Sequence, residues 1–219
     1  MRTIRVALVD DQSLFRAGIR MLVSSQPDLE FVGEAGDGAD AVALVAASDP
    51  DVVLMDIRMP VMDGVAATRA ILEDAARRGT TPPRVVALTT FDLDEAAARA
   101  IRAGASGFLL KDTEPEFLLA SIRAVHAGTS VIAASATLEL FEQFAPQATP
   151  VPPEFETLTV REREIFQLAA RGLSNAEIAK DQFVSEATVK THVSRVLAKL
   201  SLRDRVQLVV FAHEHRLAG

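Results

Sequence analysis

Asp10, Asp11, Asp56, Thr89 and Lys111 share a placement that matters chemically. Each stands at the end of an apolar run: Asp10-Asp11 after "IRVALV", Asp56 after "VVLM", Thr89 after "RVVAL", Lys111 after "GFLL". A lone aspartate there is ordinarily a turn or cap residue, and a lone lysine a solvated end. A set arriving together at successive ends is a different matter. If the runs are neighbouring strands, three carboxylates occupy one small space, and like charges at that range do not all stay ionised without compensation. A hard divalent cation compensates, and Mg²⁺ takes one or two carboxylates while keeping several waters. Its open positions accept phosphoryl oxygens. Lys111 brings a compact positive charge to a further oxygen, and the Thr89 hydroxyl donates to another. Such a set suits phosphoryl transfer to a carboxylate, giving an aspartyl-phosphate.

The elements needed to bring these residues together are written along the first part of the chain. Strand runs occur at "IRVALVD", "FVGEAG", "DVVLMD", "RVVALTT" and "GFLLKD". Helical patterns lie between them: "SLFRAGIRMLVSS", "GADAVALVAAS", "GVAATRAILEDAARR", "DEAAARAIRAG" and "EPEFLLASIRAVHAG". Strands alternating with helices predict a parallel sheet covered on both faces, with ligands beyond the carboxyl ends of its strands. Asp92 with Glu95, and Thr113 with Glu116, have capping-box spacing, Pro115 being tolerable in a first turn.

The segment "APQATPVPPEFE" (Ala145 to Glu156) carries four prolines and reads as a semi-rigid linker. After it the patterns are helical only. They open on Thr159, Ser174 and Ser185, each a good N-cap. In "SNAEIAKDQFVSEATVKTHVSRVLAKL", a helix, a short turn and a second helix follow one another. Ala176, Ile178, Ala179 and Phe183 are expected to pack inward. On the second helix Val189, Val193, Val196 and Leu197 form one stripe, followed by Leu200. Lys190, Thr191, Ser194 and, at the edge, Arg195 point away from it. A capped helix with such a polar face can enter a major groove, and it can equally be a solvated surface helix.

Composition is that of a core-forming chain: 219 residues, 49% hydrophobic and 24% charged. With no cysteine there is neither a disulfide framework nor a thiolate zinc site. The apolar run of "MRTIRVALVDD" is too short for a signal segment or a membrane span, so a cytoplasmic protein without membrane association is expected. The net charge of −7 is uneven: up to Pro153, 13 basic residues face 21 acidic ones, and from Glu154 onward 10 face 9. Overall acidity therefore does not exclude nucleic-acid binding by the second part.

"LVDDQSLFRAG", "VVLMDIRMPVMDG", "ALTT" and "ASGFLLKD" resemble, in order, the receiver domain of two-component response regulators. The likeness covers roughly residues 3 to 127. It implies a five-stranded flavodoxin-like sheet and phosphorylation by a sensor histidine kinase. Carried onto this chain, Asp56 is the phosphoacceptor. Asp10, Asp11, Asp56 and the main-chain carbonyl of Arg58 make the Mg²⁺ site, Thr89 and Lys111 meet the phosphoryl group, and Thr89 with Phe108 forms the switch. Phe108 lacks a phenolic hydroxyl, and Asp112 follows Lys111 where many receivers have proline, so a trans peptide is expected there. Arg58 and Phe91 stand where an attacking water would approach, and neither can act as a base near neutral pH, which implies slow self-hydrolysis. Arg58 also occupies the place where a phosphatase or transferase working through an aspartyl-phosphate would carry its general acid, which argues against an enzyme.

"LTVREREIFQLAARGLSNAEIA", "VSEATVKTHVSRVLAKL" and "RDRVQLVVFA" resemble the LuxR-type helix-turn-helix domain over about residues 156 to 213. That likeness implies a four-helix domain with Glu186 to Leu200 as recognition helix and a last helix that pairs in a homodimer. Lys190, Thr191 and Ser194 would face base edges of a double-stranded operator, with Arg195 at the border. Ser185, Thr188 and His192 would face the DNA backbone, unless His192 is a packed helix residue. Ser194 stands where some relatives carry Lys or Arg, and Gln182 where the family usually has an apolar residue. The expected organisation is a receiver over residues 1–128, a connecting helix and Pro-rich linker over 129–155, and a DNA-binding domain over 156–219. Together these imply a transcriptional regulator controlled by phosphorylation.

Overall fold

A computed structural model describes residues 3–90, 95–128 and 150–217. The chain divides into two compact units, Met1–Val131 and Ile132–Gly219. In the first, strands and helices alternate: β1 (Ile4–Val9), α1 (Ser13–Ser24), β2 (Leu29–Ala35), α2 (Gly38–Ser48), β3 (Val52–Asp56), α3 (Gly64–Arg78), β4 (Arg84–Thr89), α4 (Glu95–Arg102), β5 (Gly107–Leu110) and α5 (Pro115–His126). The strands pair in parallel in the order β2-β1-β3-β4-β5, a flavodoxin-like sheet as expected. The order reverses between β1 and β3, where an open sheet of this kind leaves a crevice at its carboxyl edge.

Strand alternation assigns each residue a side. Val6, Leu8, Val52, Leu54, Val86, Leu88 and Leu109 pack with Val23 of α1 and Leu118 and Ile122 of α5. Ala7, Val9, Val53 and Met55 pack with Ala41 and Val45 of α2 and Ala67 and Ile71 of α3. The first row matters for the site. Two residues beyond Leu8, Leu54 and Leu109, it arrives at Asp10, Asp56 and Lys111.

The loop from β3 to α3 is fastened by its main chain. Ile57 N–H donates to the Leu88 carbonyl (3.1 Å), Gly64 N–H to the Ile57 carbonyl (2.9 Å) and Gly38 N–H to the Met62 carbonyl (3.1 Å). Gly64 is required by contact: a β-carbon there would collide with the main-chain oxygen of Asp56. Within this loop Val61 has φ 67°, and Met62 N–H donates to the Pro60 carbonyl at 2.7 Å, closing a γ-turn. A β-branched residue in that conformation is strained.

Helix starts follow the sequence in most places. Asp37 caps α2 and Asp63 caps α3. The box expected between Thr113 and Glu116 is not formed. Pro115 takes the first helical position, for which its fixed φ is suited, so Glu114 becomes the N-cap and makes no side-chain cap bond. Asp92 lies outside the described residues. The Lys111–Asp112 peptide is trans, as expected.

The second unit is helical throughout its described part. A 3-10 turn (Pro153–Thr157) leads into α6 (Val160–Ala170), α7 (Asn175–Asp181), α8 (Glu186–Lys199) and α9 (Arg205–Glu214). Thr159, Ser174 and Ser185 are the N-caps, as expected. The first two form full capping boxes with Glu162 and Glu177, a pattern already spelled in "TVRE" and "SNAE". The core gathers Ile165, Phe166, Ile178, Val189, Val196 and Leu208. It also draws on Phe155, from the segment read as linker, whose ring meets Phe166 edge-on at 5.2 Å. The proline-rich stretch thus ends as part of the helical unit, because Phe155 has an apolar place to fill.

These four helices end alike. Gly172, Phe183, Ser201 and Arg216 turn left-handed (φ 91°, 53°, 54° and 51°). The next N–H returns to a carbonyl five residues back: Leu173 to Leu168, Val184 to Ala179, Leu202 to Leu197, Leu217 to Ala212. This is the Schellman closure. It corrects the inward packing expected for Phe183. The left-handed residue points its side chain out, and Val184, next in line, takes the inward place. Ala176 is also exposed, two residues from buried Ile178 and so on the opposite side of α7.

Glu162 and Asp204 are the buried acids among the described residues of this unit, and Glu162 is the one paired with a lysine. It accepts from Thr159 N–H at 2.8 Å and pairs with Lys199 Nζ at 2.7 Å. The Lys199 bond, helped by the Thr159 amide, lowers its pKa from 4.5 to about 2. A carboxyl depressed on folding stabilises above its unfolded value and loses that contribution as pH falls through the folded one. Glu162→Gln is therefore expected to cost about 1–3 kcal/mol at neutral pH. The gap to wild type should narrow as pH falls from 4.5 toward about 2. Urea melts of both chains across this range measure it; a constant gap removes the ion pair as the cause. In the first unit, Val61→Gly is expected to raise stability by about 0.5–1 kcal/mol by relieving the γ-turn, read from the same melts at pH 7.

Candidate functional site

At the carboxyl edge of the sheet, the row described above closes on itself. Asp10 follows β1, Asp56 ends β3 and Lys111 follows β5. Lys111 Nζ lies 2.7 Å from Asp10 Oδ2 and 2.8 Å from Asp56 Oδ2. Both carboxylates are buried, at 0% and 4% exposure. Their other oxygens are held by the main chain: Gln12 N–H donates to Asp10 Oδ1 at 2.9 Å and Arg58 N–H to Asp56 Oδ1 at 3.2 Å. Burial pushes the Asp56 carboxyl above its ordinary value, against the pull of Lys111 and the Arg58 amide. Burial alone would lower Lys111, but its bonds to Asp10 and Asp56 outweigh this and hold its pKa above the usual lysine value. The ammonium therefore stays charged and supplies one of the compensating charges that three close acids require.

Asp11 is exposed beside this pair, and oxygens of Asp10, Asp11 and Asp56 all lie within 4.8 Å of one another. Three carboxylate oxygens make a hard donor set, which fits a small hard cation better than a thiophilic metal. Thr89 is buried at the end of β4, where its carbonyl accepts from Lys111 N–H at 2.8 Å. Phe108 is half-buried on β5, paired with Ala87, two residues before Thr89 on the same face of the sheet. Arg58 is exposed. Phe91 lies outside the described residues.

Two contributors from α1 were not anticipated. The Phe15 ring sits 5.2 Å from Lys111 Nζ, a cation–π contact. Arg16 Nη1 donates to the Asp10 carbonyl at 2.6 Å, and its Nε pairs with Glu34 at 3.2 Å. Only the helical spacing of "SLFRAG" hinted at which side chains of α1 would face the sheet.

In the second unit, Ala187, Lys190, Thr191, Ser194, Arg195 and Ala198 line one shallow exposed concavity along α8. Small residues run down its middle with Lys190 and Arg195 at its sides. The Thr191 hydroxyl donates to its own helix at Ala187 O (2.9 Å), leaving its lone pairs and methyl outward. Ser185 Oγ caps α8 at Thr188 N–H (3.1 Å) and meets Thr188 Oγ1 at 2.9 Å. His192 is half-buried, with Nδ1 enclosed and without a hydrogen-bond partner. Gln182 is half-buried and polar in its contacts: Arg161 reaches from α6 to both its side-chain and main-chain oxygens. Among the described residues no helix is long and apolar enough to cross a membrane.

Comparison with known proteins matches both units. Residues 6–123 match the response regulator receiver domain, and residues 156–212 match the LuxR family of bacterial regulatory proteins. The uncharacterized transcriptional regulatory protein YxjL of Bacillus subtilis is 47% identical over 213 residues, 95% of this chain and 94% of its own. The nitrate/nitrite response regulator NarL of Escherichia coli is 35% identical over 97% of this chain and 96% of its own. Among solved structures, the response regulator ChrA of a heme-sensing two-component system is similar, with a TM-score of 0.52 and 35% identity over 99% of this chain and all of that one. The chain belongs to the two-component response regulators that join a receiver to a LuxR-type DNA-binding domain, and is a phosphorylation-controlled transcriptional regulator.

Proposed function

We propose that Asp56 is the phosphoacceptor and that α8 reads the DNA. The observation that carries the first part is the Lys111 ammonium held between Asp10 and Asp56 at the carboxyl edge of the sheet. An Asp56 oxygen attacks phosphorus, forming a new P–O bond while the bond from phosphorus to the donor group breaks. The donor is the phosphohistidine of a sensor kinase, or a small acyl phosphate. Asp10, Asp11, Asp56 and the Arg58 carbonyl would hold Mg²⁺, which would neutralise charge on the phosphoryl oxygens. Lys111 takes one of those oxygens, and the Thr89 hydroxyl donates to another. A phosphoryl group brings up to about two negative charges, so both Lys111 and Thr89 have reason to turn toward it. Phe108, on the face of the sheet shared with Thr89, follows that change and alters the surface near α4. The chain is not an enzyme with turnover. Its phosphoryl group leaves slowly by self-hydrolysis, because neither Arg58 nor Phe91 can serve as base.

In the output unit, Lys190, Thr191 and Ser194 face base edges with Arg195 at their border. Ser185, Thr188 and His192 face the sugar-phosphate backbone. A homodimer in the cytoplasm binds two half-sites of an operator. The shared concavity of Lys190, Thr191, Ser194 and Arg195 supports this reading.

Asp56→Asn is expected to abolish phosphorylation by acetyl phosphate in Mg²⁺. Intact-mass spectra showing undiminished phosphate on the variant would remove Asp56 from the role. Lys190→Ala is expected to weaken specific DNA binding by about 1–3 kcal/mol if Lys190 reads a base. If it meets only phosphate, specific and non-specific binding weaken alike and the salt slope falls by about one unit. Salt-titrated binding isotherms separate the two, and no change in either takes α8 out of the groove.

A further inference from the structure

Of the large apolar side chains among the described residues, Phe183 is the most exposed, at 95%. It is placed there by design of the turn rather than by slack in it. The Schellman closure of α7 sets its φ at 53° and sends Val184 inward in its stead. On one side Arg161 grips both oxygens of Gln182; on the other, Ser185 caps α8. Such a position favours glycine or asparagine, and a bulky ring there is a costly choice that the fold itself does not use. A backbone outlier that its surroundings over-determine is a reason to look for function in the side chain it presents.

What the ring can meet follows from its place. Phe183 precedes Glu186, the first residue of α8, by three residues, a span of at most about 11 Å. A recognition helix enters the major groove by its N-terminal end, so the turn before it stands at the edge of the half-site, beside the backbone that Ser185 and Thr188 face. A phenyl ring offers no donor or acceptor, and the apolar feature of the major groove is the thymine methyl group. We infer that Phe183 contacts a thymine methyl at the edge of the half-site read by α8, extending the interface from the helix into the turn before it. The inference rests on α8 lying in the groove.

The test uses the full-length chain with acetyl phosphate and Mg²⁺, on a duplex it has selected from a randomised pool. Phe183→Asn and Phe183→Gly are expected to keep or raise the melting temperature, since both suit a left-handed residue. They should weaken specific binding roughly five- to ten-fold, the loss of one apolar contact. The salt slope should not move, because no phosphate contact is lost. With the unaltered chain, replacing thymines singly by uracil should reproduce the loss at one position per half-site, and that position should be silent with Phe183→Asn. Unchanged affinity in both variants, a changed salt slope, or no methyl-dependent position overturns the proposal. A protein partner for Phe183 would appear as the first of these. Lys190→Ala run alongside locates a failure. If it too binds normally, α8 is not in the groove. If it alone weakens binding, only the role of Phe183 falls.

Discussion

Two carboxylates buried at adjacent strand ends and bridged by one ammonium ion set the terms for the first unit. Burying Asp10 and Asp56 side by side is unfavourable on two counts, lost hydration and mutual repulsion, and Lys111 offsets both. The sheet order makes this possible, since β1 and β3 are neighbours and the same row of each strand ends in the acids. Main-chain donors from Gln12 and Arg58 hold the remaining oxygens. The Phe15 ring faces the ammonium, and Arg16 donates to the carbonyl of Asp10. A site balanced in this way responds to a new anion, because the cation that holds the acids together is also the one a phosphoryl oxygen would attract.

Much of this was legible in the sequence, for a physical reason. Strand runs ending in Asp10, Asp56 and Lys111 are local signals, and alternation carries the side of the sheet from one residue to the next. N-caps are equally local, so Thr159, Ser174 and Ser185 could be read from residue type and position. What failed depended on tertiary context or on a competing local rule. Pro115 displaced the box expected of Thr113. Phe183 looked like core because it is aromatic, whereas the closure of α7 decides its direction. A left-handed residue is easily foreseen only when it is glycine, as at Gly172 and not at Phe183, Ser201 or Arg216. Phe15 over Lys111 joins residues far apart in the chain, and no spacing announces it.

The two units use different means to hold polar groups. In the first, charges gather where the strands stop. In the second, polar bonds finish the helices: Glu162 and Glu177 close the starts of α6 and α7, and left-handed closures finish the described helices. Short helices gain little from propensity alone. α7, with seven residues, keeps its shape because both its ends are satisfied and one face is buried.

The loop between Asp56 and Gly64 has a consequence for how such a protein diversifies. Its closures run through the main chain, from Ile57, Gly38 and Gly64, and at both glycines a β-carbon would collide with a main-chain oxygen, that of Met62 at Gly38 and that of Asp56 at Gly64. The outward residues Arg58 and Val61 carry none of those three bonds. Drift at Val61 can therefore change what the rim of the acidic site shows to a visiting protein while the carboxylate beneath stays where it is. A lineage could trade partners at the surface without rebuilding the chemistry underneath.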